Sequence, residues 1–271
     1  MGNFDAVSPF DELIAYETLW ARDGSTVKRV SDALKSTDYP SRADFNLEDL
    51  QTKETIREYF QKINKDFSVI TAKSYQYPKE LTDPEHQIKL LYYKGDLGLL
   101  EARKKISIVG ARKVSTDGRK RARQLARHLV ENGYVIVSGL AEGVDTEAMS
   151  EAIKNEGKVI GVIGTPINQY YPKENRQLQD YISHNHLLLS HVPIYRYAHQ
   201  HFKSKRIYFP ERNVTMAAVS DATIIVEASD TSGTLTQARA CLAMNRKLFI
   251  LNSCFENPNI KWPHTYEKRG A

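Results

Sequence analysis

From Lys104 to the end of the chain, short apolar runs alternate with helical stripes, and this alternation restricts the architecture more than any other feature of the sequence. The runs at 106–109, 134–137, 159–163, 187–189, 222–226 and 248–251 are predominantly aliphatic, the pattern of strands covered on both faces. Between them Ala122, Leu125, Ala126 and Leu129 form one stripe, Ala148, Met149, Ala152 and Ile153 a second, and Leu235, Ala238 and Leu242 a third, each at helical spacing. Strands joined through helical crossovers run parallel, and right-handed crossovers put helices on both faces. The predicted fold is α/β: an extended, Rossmann-like, doubly wound and mainly parallel sheet.

A different pattern precedes it. Ser8-Pro9 followed by Asp11 and Glu12 marks a helix start, with Leu13, Tyr16 and Trp20 on one face. Ser25 is read as the cap of a second short helix carrying Val27, Val30 and Leu34, and a third runs from Leu47 through Leu50, Ile56 and Phe60 to Ile63. Residues 1–64 are therefore expected to form a small helical domain of the SAM or helix-hairpin-helix kind, and residues 65–271 the Rossmann-like domain. Between Phe67 and Leu100, Val69-Ile70 and Leu90-Leu91-Tyr92-Tyr93 read as short strands separated by turns at Tyr77-Pro78 and Lys94-Gly95-Asp96. They serve either as a linker or as an extension of the sheet.

Composition narrows the function classes. With 41% apolar and 26% charged residues, the 271-residue chain can pack a core. A net charge of +5 favours a polyanionic partner. Two cysteines, Cys241 and Cys254, supply neither a disulfide framework nor a four-thiolate metal site. The opening Met-Gly-Asn-Phe-Asp lacks a basic-then-apolar leader, position 6 is not the hydroxyl residue of a myristoylation signal, and no apolar run approaches the roughly 18 residues of a membrane span. A cytoplasmic protein without membrane attachment is expected. His184, His186, His191, His199 and His201 fall close together without a partnering carboxylate or thiolate pattern, so no metal or other cofactor is assigned. Tyr170, Tyr171, Tyr195, Tyr197 and Tyr208 are candidates either for base stacking or for packing at the sheet edge.

In a doubly wound sheet ligands bind beyond the carboxyl ends of the strands, and here those ends share a chemistry. The first strand of the sheet ends in Gly110-Ala111-Arg112-Lys113 with Ser115 and Thr116 ahead of a helix; the second ends in Ser138-Gly139-Leu140-Ala141-Glu142-Gly143; the third in Gly164-Thr165-Pro166; and the fifth leads into Ser229-Asp230-Thr231-Ser232-Gly233-Thr234. Glycines admit a ligand to backbone N–H groups, hydroxyls donate hydrogen bonds, and a following helix presents its positive end, which suits phosphate. Neither Gly-x-Gly-x-x-Gly nor Gly-x-x-x-x-Gly-Lys-Ser/Thr occurs at these loops, so a standard NAD or ATP site is disfavoured. Ten cations between Arg103 and Arg127 crowd one strand-helix unit, with Lys120, Arg123 and Arg127 read as one helix face. Asp145, Glu142 and Glu227, at or after strand ends, read as capping or structural acids before catalytic ones.

Five motifs in order, Ile108-Val109-Gly110-Ala111-Arg112, Ser138-Gly139-Leu140-Ala141-Glu142-Gly143-Val144-Asp145, Tyr171-Pro172-Lys173-Glu174-Asn175, Phe209-Pro210-Glu211-Arg212-Asn213, and Val226-Glu227-Ala228 with Ser232-Gly233-Thr234, resemble the DNA-processing protein A (DprA, or Smf) family over residues 67 to 254. The resemblance implies single-stranded DNA binding without turnover, frequently as a homodimer, in DNA uptake and recombination, and loading of the RecA recombinase. Carried onto this sequence, the phosphate and nucleic-acid site comprises Arg112, Lys113, Ser115, Ser138, Gly139, Asn175, Arg212, Asn213, Ser232, Gly233 and Thr234.

The sequence also departs from the family pattern. Where an Arg-Asn-Arg is usual, Val214 follows Arg212-Asn213, with Lys203, Lys205 and Arg206 just upstream. The chain ends at Ala271, so the C-terminal winged-helix-like domain of many members is not expected. Two other functions resemble parts of the sequence: an antitoxin or regulatory component of a phage-defence module that restrains a cognate toxin protein, and a lysine-decarboxylase-like (LOG) nucleotide-cleaving enzyme. The second uses Gly-Thr-x-x-Glu, whereas Gly233-Thr234-Leu235-Thr236 is followed by Gln237.

Overall fold

The computed structural model describes residues 8–82 and 88–271; the opening segment read above for a leader lies outside them. Eight strands form one sheet: β1 (Ser68–Thr71), β2 (Leu90–Gly95), β3 (Lys105–Val109), β4 (Val135–Ser138), β5 (Val159–Ile163), β6 (Leu187–Ser190), β7 (Ala222–Ile225) and β8 (Lys247–Ile250). Their order is β1-β2-β6-β5-β4-β3-β7-β8. The six strands β3 to β8 are parallel, as the helical crossovers require, while β1 and β2 add antiparallel to β6. The segment before Lys104 thus extends the sheet. Strand ends differ from expectation by about a residue: β4 starts after Tyr134, and β6 continues to Ser190.

Helices cover both faces: α1 (Pro9–Ala21), α2 (Val27–Ala33), α3 (Leu47–Lys62), α4 (Thr116–Glu131), α5 (Val144–Lys154), α6 (Arg176–Asn185), α7 (Ile194–His199), α8 (Tyr208–Val219), α9 (Thr234–Ala243), α10 (Asn252–Phe255) and α11 (Trp262–Glu267). None of the described helices is long and apolar enough to cross a membrane. Because side chains alternate along a strand, one strand feeds two cores. Ile106, Ile108, Ile136 and Leu188 face one, and Val109, Val135, Val137, Leu187 and Leu189 face the other.

The first core is continuous with α1, whose Trp20 ring lies 6.0 Å from that of Tyr208. Helices α1 and α7 cap each other. Glu17, fully buried on α1, accepts from the backbone N–H groups of Ile194 (2.7 Å) and Tyr195 (3.1 Å) and from the Tyr92 hydroxyl (2.6 Å). Arg196 of α7 reciprocates, donating to the carbonyls of Trp20, Arg22 and Ser25 at the end of α1.

Local signals set most helix starts. The Ser8 hydroxyl caps α1, accepting from the Asp11 N–H, and Asn46 and Asp49 form a capping box on α3. The α2 cap is Thr26, not Ser25: the Thr26 hydroxyl accepts from the Arg29 N–H (3.2 Å), whereas the buried Ser25 hydroxyl donates to the Leu19 and Arg22 carbonyls and closes α1. The basic face of α4 also differs. Arg119 and Arg123 grip Glu147 at 2.7 and 2.8 Å, Arg127 grips Glu151 at 2.6 Å, and Lys120 turns instead toward Asp117 at 3.8 Å. These arginines fasten α4 to α5.

Candidate nucleic-acid interface

Strands β3 and β7 lie side by side, but the chain leaves them in opposite directions, through α4 to β4 and through α9 to β8. A crevice must open where the connections part. The loops after β3, β4, β5 and β7 meet along it, and all eleven residues singled out above lie at this edge.

They divide into a buried set and an exposed set. Ser138, Gly139, Asn175, Arg212 and Asn213 are buried, and the polar groups of their side chains are committed within the protein. The Ser138 hydroxyl donates to the Ile108 carbonyl at 2.7 Å. Arg212 donates to the carbonyls of Gly139 (2.6 Å) and Val162 (3.3 Å) and to the Asn213 side-chain oxygen (2.9 Å). Asp145 holds the same glycine from the other side, accepting its N–H at 3.0 Å. A Cβ at Gly139 would overlap the Arg212 guanidinium, so the close approach requires glycine. Asn213 in turn donates to the Gly233 carbonyl (2.8 Å), tying the β7 loop to α8. Asn175 donates to the Leu140 carbonyl and the Thr146 hydroxyl, both at 2.8 Å, and so steadies Leu140 in its left-handed conformation (φ 56°).

Burial sets the electrostatics of this layer. It pushes the Asp145 carboxyl upward, an effect opposed by the positive charge of Arg212, and it pushes the Arg212 guanidinium downward, opposed by Asp145. The two opposite charges face each other across the Gly139 peptide.

Arg112, Lys113, Ser115, Ser232, Gly233 and Thr234 form the accessible rim. Ser115 caps α4 (Gly118 N–H to Oγ, 3.0 Å) and is anchored on Glu227, which takes its hydroxyl at 2.6 Å and its N–H at 3.0 Å. Glu227 is thereby assigned a structural part. The Thr234 hydroxyl donates to the Gly110 carbonyl (3.3 Å), and the Ser232 hydroxyl accepts the Thr234 N–H (3.2 Å). Asp230 accepts from the N–H groups of Lys261 and Trp262, and the Trp262 indole donates to the Ala228 carbonyl, so the C-terminal segment pins this loop.

Two clefts flank the rim. One, of about 360 Å³, lies between Gly110, Arg112, Asn213, Gly233 and Gln237. The other, of about 690 Å³, lies beyond Lys113, Ser115, Arg121 and Ser229. Phe209 stands at the lip of the first, with the Arg112 guanidinium 5.7 Å from its ring centre and the Tyr171 ring 5.4 Å away.

Phe209 and Gln237 were missed as site residues by sequence reasoning. Phe209 stood in the Phe209-Pro210-Glu211-Arg212-Asn213 motif, and Gln237 was noted only as the residue in place of the glutamate of the nucleotide-cleaving enzymes; neither was carried into the site.

The tyrosines separate similarly: Tyr208 and Tyr197 are core residues, whereas Tyr170 and Tyr171 stand exposed at the edge. Lys203, Lys205 and Arg206 sit on a 3-10 segment, Phe202–Ile207, directly ahead of α8. The five histidines do not converge. His184 and His199 bond to carbonyls of their own helices, His201 caps the 3-10 segment, and His186 and His191 are buried. Among the described residues no group of three or more His, Cys, Asp or Glu side chains comes together as a metal site.

Comparison with known proteins gives a consistent result. Residues 68–271 match the DNA recombination-mediator protein A family. The DNA processing protein DprA of Bacillus subtilis is 34% identical over 207 residues, covering 75% of this chain and 67% of that protein. The DprA of Streptococcus pneumoniae is 40% identical over 175 residues, 65% of this chain and 59% of the relative. The matched segment therefore spans about three-fifths to two-thirds of these relatives. The crystal structure of the pneumococcal protein superposes with a TM-score of 0.71 at 28% identity, over 96% of this chain and 88% of the other. The DNA processing protein A of Helicobacter pylori, solved to explain its single-stranded DNA binding mode, superposes with a TM-score of 0.58 at 28% identity, over 76% of this chain and 97% of the other.

Proposed function

Because the chain belongs to the DNA recombination-mediator protein A family, we propose that it binds single-stranded DNA along the rim between β3 and β7, as a non-catalytic recombination mediator. The observation that carries this reading is the exposed Arg112 guanidinium beside the Phe209 and Tyr171 rings, next to Lys113 and the Ser232-Gly233-Thr234 loop. Cations neutralise the backbone, and aromatic faces accept unstacked bases of any sequence. Loading of a RecA-type recombinase, self-association as a homodimer and a cytoplasmic location belong to the same proposal.

The test separates the exposed arginine from the buried one. Arg112→Glu combined with Lys113→Glu changes two exposed side chains, so stability stays within about 0.5 kcal/mol of the parent. Fluorescence anisotropy with a labelled oligonucleotide at several salt concentrations is expected to show weaker binding, with the log-log salt slope reduced by about 0.7 for each phosphate that the variant no longer neutralises. Undiminished affinity in this double variant excludes the rim as the binding surface. Charge reversal at Arg212 is not a clean probe, since it would set a second carboxylate beside buried Asp145.

A further inference from the structure

The loop after β7 is gripped from outside by a helix that is not part of the rim. Helix α11 lies across this loop and holds it at three points. The Asp230 carboxylate accepts the backbone N–H groups of Lys261 and Trp262, both at 2.9 Å. The buried Trp262 indole donates to the Ala228 carbonyl at 2.9 Å, and the buried Tyr266 hydroxyl donates to the Leu235 carbonyl, in the first turn of α9, at 3.1 Å. Trp262 and Tyr266 stand one helical turn apart on the same face of α11, their ring centres separated by 6.2 Å.

The three points fall before, within and after the segment 229–234. From the sheet side this segment is held near its far end, where Asn213 donates to the Gly233 carbonyl and the Thr234 hydroxyl to the Gly110 carbonyl. Its first half, Ser229, Asp230 and Thr231, is exposed, and so is Gly233. Small polar residues and a glycine sample many backbone conformations when unrestrained, and a ligand that must order them binds more weakly for it. Asp230 is also the wrong charge for its place, since a carboxylate beside a loop offered to phosphate repels the anion. Its two N–H partners at the start of α11 account for it there.

We propose that Asp230, Trp262 and Tyr266 are positioning residues for the rim: through them α11 fixes the N–H groups and hydroxyls of Ser232, Gly233 and Thr234 where a strand meets them, without touching the strand. The inference rests on the strand-binding reading and adds a determinant that lies outside the rim. The sign of the effect is diagnostic. Charge alone predicts that loss of Asp230 tightens the hold on a polyanion; loss of positioning predicts the reverse.

Three variants separate the effects. Asp230→Ala removes the acceptor from an exposed residue, Asp230→Asn removes the charge but keeps a side-chain oxygen for the α11 N–H groups, and Tyr266→Phe removes one hydroxyl and keeps the ring. Amide hydrogen exchange across the β7 loop reads its order, and fluorescence anisotropy with labelled dT12 at several salt concentrations reads strand affinity. In Asp230→Ala and Tyr266→Phe the loop amides are expected to exchange about tenfold faster, a larger factor than in β3 to β6. The same two variants bind dT12 about three- to tenfold more weakly, the effect of one hydrogen bond, with the salt slope of the parent, because no phosphate contact is lost. Asp230→Asn binds at least as tightly as the parent. The proposal is overturned if Asp230→Ala binds dT12 as tightly as the parent or more tightly, if Asp230→Asn is as weak as Asp230→Ala, or if affinity falls without faster exchange in the loop. Failure of the rim is read separately, in Arg112→Glu with Lys113→Glu: if only that variant weakens binding, the rim stands and the positioning falls; if none does, both fall.

Discussion

Arg212→Met is expected to lower the free energy of unfolding by about 3–5 kcal/mol, the usual cost of breaking a buried charge pair by removing one partner. The substitution keeps an apolar stem of similar length, so the loss isolates the guanidinium. It leaves the Gly139 and Val162 carbonyls and the Asn213 side-chain oxygen without their donor, and it strips Asp145 of the positive charge that opposes its burial. A urea titration followed by tryptophan fluorescence measures the difference. In a double-mutant cycle with Asp145→Asn, the double variant is expected to be at least 1 kcal/mol more stable than the sum of the single losses predicts. An unchanged urea midpoint in Arg212→Met would refute the structural assignment. The pH dependence has a defined sign. Asp145 is already raised by burial, so the folded state takes up its proton more readily than the unfolded chain, and that contribution is lost as pH rises through the folded value. Without Arg212 the rise is larger, so the variant's deficit grows from pH 4 toward pH 7.

Glu17→Ala is the second large effect, expected to cost about 3 kcal/mol, because two backbone N–H groups at the start of α7 and the Tyr92 hydroxyl lose a common buried acceptor. In a chain of this size that corresponds to a fall in Tm of roughly 10 °C. Burial pushes the Glu17 carboxyl up from an ordinary value of 4.5 to about 7, against the pull of the Tyr92 and α7 hydrogen bonds. A raised folded value means stability that is present below about pH 4.5 and is lost as pH rises through about 7. Glu17→Gln removes the titrating group. Its Tm is expected to vary less than that of the parent between pH 5 and 8, and a parallel pair of profiles would show that this carboxyl is not the source. Helix α7 leads directly into the segment bearing Lys203, Lys205 and Arg206, so the cap from α1 also sets where those cations stand.

Much of the fold is legible in the sequence because its signals are local. Aliphatic runs located the parallel strands to within about a residue, helical stripes located α3, α4, α5 and α9, and capping chemistry marked the start of α1. Loops ending in glycine, serine and arginine after strands placed the edge where a ligand would bind, since a doubly wound sheet brings its strand ends to one side. Signals of equal local strength could not be ranked. Ser25 and Thr26 are both competent caps, and the choice fell to Thr26 because the Ser25 hydroxyl faces the open carbonyls at the end of α1.

What the sequence determined by itself is the alternation, and through it the layered sheet, the edge formed by the strand carboxyl ends and the residue types that line it. What only the tertiary structure decided is which of those residues reach the surface. Arg112 and Arg212 carry the same group in motifs of similar appearance, yet Arg112 stands in solvent while Arg212 is sealed between the β4 and β5 strand ends. The arginines of α4 read as a basic face until α5 sets Glu147 and Glu151 against them. Gln237 comes to the inner side of the smaller cleft because α9 packs on β7. Periodicity reports the side of an element on which a residue lies; burial depends on what a distant part of the chain places over that side, and one-dimensional spacing does not contain that information.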